Sequence, residues 1–216
     1  MACEKLFFPE IKNIFSSLKE VMISNKDRLI ELDGIMGDGD LGLTMATAFT
    51  VAAEEVSATA GEADLGKVFS KIGMSIVKAA PSSMGTLMGT GFMRGGKAVK
   101  EKTELGLPEI AQFWRAFVEG LMERGKTKPG DKTIIDSLDP AATALEKAAA
   151  EGKSLKEGFA EALTASESGM ENTRTMAAQV GRLAYNQEKS KTIIDPGSVV
   201  GYLVIKTFAE CISKNT

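Results

Sequence analysis

An all-α fold, one domain of about eight antiparallel helices, is what this sequence predicts, and three observations carry it. Apolar residues recur at intervals of three and four along nearly the whole chain, as the stripe of a helix facing a core must. Glycine- and proline-rich breaks divide that pattern into short segments. Strand-like runs are scarce, the stretch 192–194 being a short apolar run of extended character. At 216 residues, 44% hydrophobic and 25% charged, the chain can bury a substantial core as a single domain over 1–216.

The segments follow in order. An apolar stripe runs through 11–22 and stops before an Asp- and Gly-rich break at 33–42. Stripes at 43–56 and 65–80 are separated by a break at Gly61. Pro81, followed by Ser82 and Ser83, ends one helix and signals the start of the next. After a break at 106–108, the residues Ile110, Phe113, Trp114, Phe117, Val118, Leu121 and Met122 mark one face of a long helix. Pro129 and Gly130 precede a stripe at 134–150, and Gly152 precedes another at 155–163. The stretch 181–194 is the least regular in the chain. Beyond a break at 195–197, Val200, Leu203, Val204, Phe208, Cys211 and Ile212 form the last stripe. No internal repeat of fixed period is visible.

Composition removes whole classes of chemistry. With 26 basic against 29 acidic residues, a net charge of -3 and no long Lys/Arg run, nothing tracks a nucleic-acid backbone. No apolar stretch reaches the roughly 18 residues that span a bilayer, and the N-terminal residues lack a signal peptide's basic region and cleavage site. A cytoplasmic protein without a membrane partner is expected. Cys3 and Cys211 read as ordinary reduced thiols. The chain has no histidine, which excludes Ser-His-Asp and Cys-His nucleophiles, imidazole metal sites and phosphohistidine. Carboxylates, hydroxyls, Lys, Arg, backbone amides and a hard cation remain.

The stretch MGDGDLG, 36–42, concentrates such groups. GDGDLG matches the glycine fingerprint of dinucleotide-binding folds, yet Asp38 and Asp40 would repel a bare pyrophosphate held on backbone amides. With Asp33, three carboxylates fall within eight residues, and Gly34, Gly37 and Gly39 free the backbone to fold them inward. At ~5 Å and an effective dielectric near ~20, each pair repels by about 3 kcal/mol, so the three together favour a cation. An EF-hand is excluded, because Gly42 and Phe49 stand where its loop needs an acid or amide and a Glu. An oxygen-only site of few protein ligands suits Mg²⁺, which keeps positions open for phosphate oxygens. The alternative is a solvated turn with its acids pointing apart.

Four other stretches are informative. GLMERGKT, 120–127, fits the Walker A pattern letter for letter, but a helix precedes it and a loop follows, the reverse of a P-loop. It reads as a helix stopped at Gly125, with Arg124 and Lys126 complementing the dipole. In PSSMGTLMGTG, 81–91, Gly85 and Gly89 bare one helix face for either a ligand or a neighbouring helix. PGDKT, 129–133, offers Asp131 as a cap for the following helix. IIDPGS, 193–198, offers Asp195 as a cap with Pro196 in the first turn.

Together and in this order, LDGIMGDGDLG, GTLMGT, GKTKPGDKTIID and DPGS resemble the nucleotide-binding L-subunit family of dihydroxyacetone kinases, over nearly the whole chain. The resemblance implies a barrel of eight antiparallel helices, with ADP or ATP held at one end through two Mg²⁺ ions ligated by Asp33, Asp38 and Asp40. It further implies nucleotide contacts at Leu41, Thr44, Ser82, Ser83, Met84, Gly85, Thr86, Gly125, Ile134, Lys189, Asp195, Pro196 and Gly197, with the 82–86 turn on the phosphates. Three positions depart from the family pattern. Leu41 stands where a histidine is usual, Met84 where a small polar residue is usual, and Lys189 where arginine is frequent.

The activity so implied is phosphoryl transfer by a subunit of a glycerone-kinase-type phosphotransferase. The acceptor, dihydroxyacetone or a related small ketose, is held covalently by a histidine of a separate K-type subunit, so an L chain needs none. No catalytic side chain is expected beyond the metal site. The nucleotide is either exchanged as ATP or kept as ADP and rephosphorylated by a phosphotransferase-system protein, and the sequence leaves both open. Readings from other classes are a nucleotide-sensing regulatory subunit without turnover, a Mg²⁺-dependent phosphatase-like domain, and a purely structural helical module. Turnover with K-type subunits, and phosphate release by the isolated chain, separate them.

Overall fold

The computed structural model describes residues 4–59 and 64–214, so Cys3 and the expected break at Gly61 lie outside the described residues. Ten helices occur among them: α1 (Phe8–Ser24), α2 (Lys26–Gly34), α3 (Leu41–Ala58), α4 (Leu65–Ala79), α5 (Ser83–Ala98), α6 (Leu107–Gly125), α7 (Ile135–Ala150), α8 (Leu155–Asn172), α9 (Gln187–Ser190) and α10 (Pro196–Lys214). All but α2 and α9 are long, which gives the eight helices that the apolar stripes predict. Extended pairing among the described residues is an isolated antiparallel bridge between Leu6 and Leu105, and the run 192–194 forms no strand. No helix there is long and apolar enough to cross a membrane.

The long helices close on themselves. Contacts pass from α1 to α3, α4, α5, α6, α7 and α8 in turn, then to α10 and back to α1. The fold is an antiparallel helical barrel whose interior is filled by side chains. Phe15 of α1 meets Phe69 of α4 and Phe92 of α5, and Phe49 of α3 also meets Phe92. Phe69 meets Phe113 of α6, and Phe92 meets both Phe113 and Phe117, which flank Trp114. Trp114 in turn meets Phe208 of α10, which stacks on Phe159 of α8. Each of these rings is fully buried, a contribution of about 1.5–3 kcal/mol apiece before the entropy of ordering is set against it.

Small residues set how closely the walls approach. A β-carbon on Gly85 would stand 2.0 Å from the Ala80 oxygen, and one on Gly89 would stand 2.6 Å from the Gly73 oxygen of α4. The bare face of α5 is therefore taken up by a neighbouring helix, the second of the two readings open in the sequence. α2 went unannounced because it is a polar surface helix with a single buried residue, Leu29. Its presence narrows the break expected over 33–42 to the loop 35–40, since Asp33 and Gly34 finish α2 while Leu41 and Gly42 begin α3.

Two helix ends differ from expectation. α6 does end at Gly125, but Lys126 itself takes the left-handed conformation that stops it (φ 52). Asp131 does not cap α7. Its carboxylate accepts from the Lys128 amide, while Asp136, inside α7, accepts from the amides of Gly130 (2.6 Å) and Thr133 (2.7 Å).

Candidate functional site

The acidic loop is built by the meeting of two helix ends. Asp33, near the C-terminus of α2, points its Oδ2 at the amides of Asp40 (3.1 Å) and Leu41 (3.4 Å), which open α3. One carboxylate thus ties α2 to the first turn of α3 and satisfies amides that have no helical acceptor. Gly39 supplies the left-handed turn (φ 72) that brings Asp40 back toward Asp33. Gly34 meets no such demand, since a β-carbon there would touch nothing within 4 Å. The outcome is that Asp33, Asp38 and Asp40 each bring one carboxylate oxygen within 4.8 Å of the others. Partial burial, then the charges of Asp38 and Asp33, hold the Asp40 carboxyl above the usual carboxylate range.

These acids stand at one end of the barrel, beside a cleft of about 1030 Å³. Asp38 and Asp40 line one side. The start of α5 lines another, with Pro81, Ser82, Ser83, Met84 and Thr86. Ser82 caps α5 by accepting from the Gly85 amide (3.0 Å), which leaves the amides of Ser83 and Met84 in the first turn without helical acceptors. The end of α6 gives Arg124 and Gly125, and the loop after it gives Thr127, Lys132, Thr133 and Ile134. Asp195 and Gly197, at the start of α10, complete the wall together with Val180, Gly181 and Arg182. The N-termini of α5 and α10 therefore open into the cleft near the acids, each with its positive dipole end.

Asp195 caps α10 as expected, accepting from the Ser198 amide at 2.6 Å. Burial pushes its carboxyl up to about 7, against the opposing pull of the Ser198 amide and the Lys132 ammonium. Lys132, 2% exposed and in a left-handed conformation, turns its ammonium inward to the main-chain oxygens of Thr173 and Ile193 (2.6 Å for the latter). That side chain fastens the 128–134 loop to the end of α8 and to the approach to α10. Burial lowers its pKa from the ordinary lysine value. The Asp131 oxygen adds a bond from the Gln179 amide (3.1 Å).

Most of the residues expected from the sequence converge here. Asp38, Asp40, Ser82, Ser83, Met84, Thr86, Gly125, Ile134, Asp195 and Gly197 all line the cleft. Asp33 lies just behind, reaching its two fellow acids. Gly85 and Pro196 are adjacent in sequence to the lining without being part of it, Thr44 lies one helical turn beyond Asp40 with its amide on the Asp40 oxygen (2.9 Å), and Leu41 is buried in the core beneath the loop. Lys189 lines a neighbouring hollow of about 600 Å³, with Met36, Gly37, Arg182, Tyr185 and Asn186. The cation that meets the acids is instead Arg182, 2.5 Å from Asp38 Oδ2. Sequence gave no sign of it, because an arginine in an irregular segment carries no periodic or spacing signal. Lys132 was visible within PGDKT, but its inward turn depends on the left-handed backbone that follows Asp131.

A family model for the DAK2 domain matches residues 35–210. The ADP-binding subunit DhaL of the PEP-dependent dihydroxyacetone kinase of Escherichia coli (strain K12) is 31% identical over 189 residues, covering 88% of this chain and 90% of that protein. The corresponding subunit of PEP-dependent dihydroxyacetone kinase 1 of Listeria innocua is 32% identical over 174 residues, covering 81% of each chain. Among solved structures, the dihydroxyacetone kinase of C. freundii in complex with AMP-PNP and Mg²⁺ superposes with a TM-score of 0.68 at 25% identity, over 92% of this chain. The matched stretch spans only 33% of that longer protein. The cleft's motifs, the helical barrel and a family match over most of the chain agree, and this protein belongs to the DAK2 domain family.

Proposed function

We propose that the chain is the nucleotide-binding subunit of a dihydroxyacetone-type kinase, holding ADP or ATP with Mg²⁺ in the cleft and passing a phosphoryl group to a small ketose bound by a separate K-type subunit. The observation that carries this is the meeting, in one cleft, of three clustered carboxylates with the open N-termini of α5 and α10. Anions suit the helix ends and cations suit the acids, so a phosphate chain escorted by a hard cation satisfies both. The 31% identity over 189 residues to the ADP-binding subunit DhaL of E. coli supports this reading.

The donor set fits Mg²⁺. Asp33, Asp38 and Asp40 would hold the ion, all three offering carboxylate oxygens that lie within 4.8 Å of one another, the all-oxygen donor set that a hard cation takes. Bound there, Mg²⁺ supplies neutralisation of the charge on the transferring phosphate. The chain's own part is positioning. The Ser83 and Met84 amides and the Ser82 hydroxyl face the phosphates, Thr86 extends that wall, and Gly197 admits the nucleotide close to α10.

The decisive measurement is thermal denaturation with nucleotide. ADP in 100-fold excess over its dissociation constant should add about 2.7 kcal/mol of stability with Mg²⁺ or Mn²⁺ present. The same stabilisation in EDTA would overturn the metal-bridged site. Native mass spectrometry of the purified chain then separates two donors. Co-purifying ADP supports a resident cofactor recharged by a phosphotransferase-system protein, in keeping with the PEP-dependent E. coli and Listeria relatives. Free exchange supports direct use of ATP.

A further inference from the structure

Arg182 and a divalent cation draw on the same carboxylate. The guanidinium lies 2.5 Å from Asp38 Oδ2, and Asp38 is one of the three acids whose oxygens cluster within 4.8 Å. A cation that binds this cluster draws all three carboxylates toward itself, and a guanidinium held on one of them opposes that movement. We propose that Arg182 is a built-in competitor for the metal at Asp38, neutralising the acidic loop in the metal-free chain and yielding its place when the cation binds. The inference rests on reading the acidic loop as the Mg²⁺ site.

Three features support it. The pair is surface-exposed, with side-chain exposures of 61% for Arg182 and 44% for Asp38, so it can open without disturbing the core. Arg182 borders open space on both sides, lining the cleft and the neighbouring hollow that holds Tyr185 and Lys189. It also begins the 3-10 turn Arg182–Asn186, whose last residue caps α9 by accepting from the Lys189 amide. Displacement of Arg182 therefore loosens a tie between the acidic loop and the segment that carries Lys189. The exchange is a means of linking metal binding to the position of that segment, at the mouth of the cleft.

An exposed ion pair of this kind holds its partners by a factor of about two to five, which is the size of effect to seek. Mn²⁺ is titrated into the full chain without nucleotide, the free ion being followed by electron paramagnetic resonance, for the wild type and for R182Q, K189Q and D38N. R182Q should bind Mn²⁺ about two- to fivefold more tightly than the wild type. K189Q removes the same charge from the same hollow without breaking an ion pair to Asp38, and should change affinity by less than about 1.5-fold. D38N should lose most of the binding. Equal tightening in R182Q and K189Q would show a long-range charge effect and overturn the competition, as would unchanged or weaker binding in R182Q while D38N still loses it. Absence of Mn²⁺ binding in both wild type and R182Q is a different failure: it removes the metal site itself, and the competition with it.

Discussion

Gly42, in the first turn of α3, lies against the main-chain oxygen of Lys26 at the start of α2, so closely that a β-carbon on Gly42 would stand 2.0 Å from that oxygen. This contact lets α2 and α3 cross tightly enough for Asp33 to reach the amides of Asp40 and Leu41. The final glycine of GDGDLG thus serves helix crossing and not the pyrophosphate that its pattern suggests. Gly42→Ala should destabilise the protein by about 1–3 kcal/mol through overpacking and should weaken the Mg²⁺-dependent response to ADP. Gly34→Ala, where a β-carbon meets nothing, should be neutral or stabilising by up to about 1 kcal/mol. Urea denaturation of the two variants checks this, and equal costs would undo the account of the crossing.

Asp38→Asn and Asp40→Asn should each abolish the rise in melting temperature that Mg²⁺ and ADP give together. Without ligand, Asp40→Asn should be as stable as the wild type or more so, because it removes the partial burial of a charged carboxylate and its repulsion from Asp38 and Asp33. Calorimetry with Mg·ADP provides the check. Undiminished affinity in either variant would show that the acids do not carry the metal.

How far the sequence could be read depends on the physical range of each signal. The stripe from Ile110 to Leu121 could be read because its period is local, and every one of its large side chains is buried in α6. The acids at 33, 38 and 40 could be read because a span of eight residues cannot scatter them far. The exact lining could not. Arg182 meets Asp38 only after the barrel closes, and Leu41 turns into the core because α3 begins at that residue. Likewise α2 carries too weak an apolar stripe to announce itself, with Leu29 alone buried. Contacts set by closure of the ring have no counterpart in local periodicity.

GLMERGKT offers a sharper check on that local reading. Lys126 is surface-exposed and sits one residue beyond the end of α6, in the left-handed conformation. A P-loop lysine would instead open a helix. Lys126→Ala should change the affinity for Mg·ADP by less than about threefold, since the side chain lies outside the cleft wall. A loss of more than about 100-fold, measured by calorimetry, would restore the P-loop reading.

The buried cap of α10 predicts a pH dependence. Asp195 has its carboxyl pushed up to about 7 by burial, above the ordinary value near ~3.9. The folded chain therefore holds this proton more tightly than the unfolded chain does. The resulting stabilisation is complete below about pH 4 and is lost as pH rises through about 7. Asparagine keeps an oxygen for the Ser198 amide but does not titrate. Asp195→Asn should therefore gain on the wild type as pH rises from 5 to 8, visible as a flatter decline in melting temperature. Parallel curves across that range would mean that Asp195 stays ionised in the fold.

The remaining prediction concerns the partner. The chain has no histidine with which to hold a ketone covalently, and its cleft opens at the end of the barrel, beside the acids and the N-termini of α5 and α10. Transfer requires an acceptor oxygen in line with the terminal phosphate, and this sequence offers no histidine to fix one there. The isolated chain with Mg·ATP should accordingly show negligible phosphorylation of dihydroxyacetone or a four-carbon ketose. Addition of a K-type subunit should restore transfer, with ATP or with a phosphorylated transfer protein as the ultimate donor. Met84, at the wall nearest the start of α5, is the residue through which acceptor size is expected to be felt, so Met84→Ser should alter the preference between three- and four-carbon ketoses more than it alters ADP affinity. Coupled assays of product formation decide both points. Robust phosphorylation by the chain alone would refute the division of the active site between two subunits.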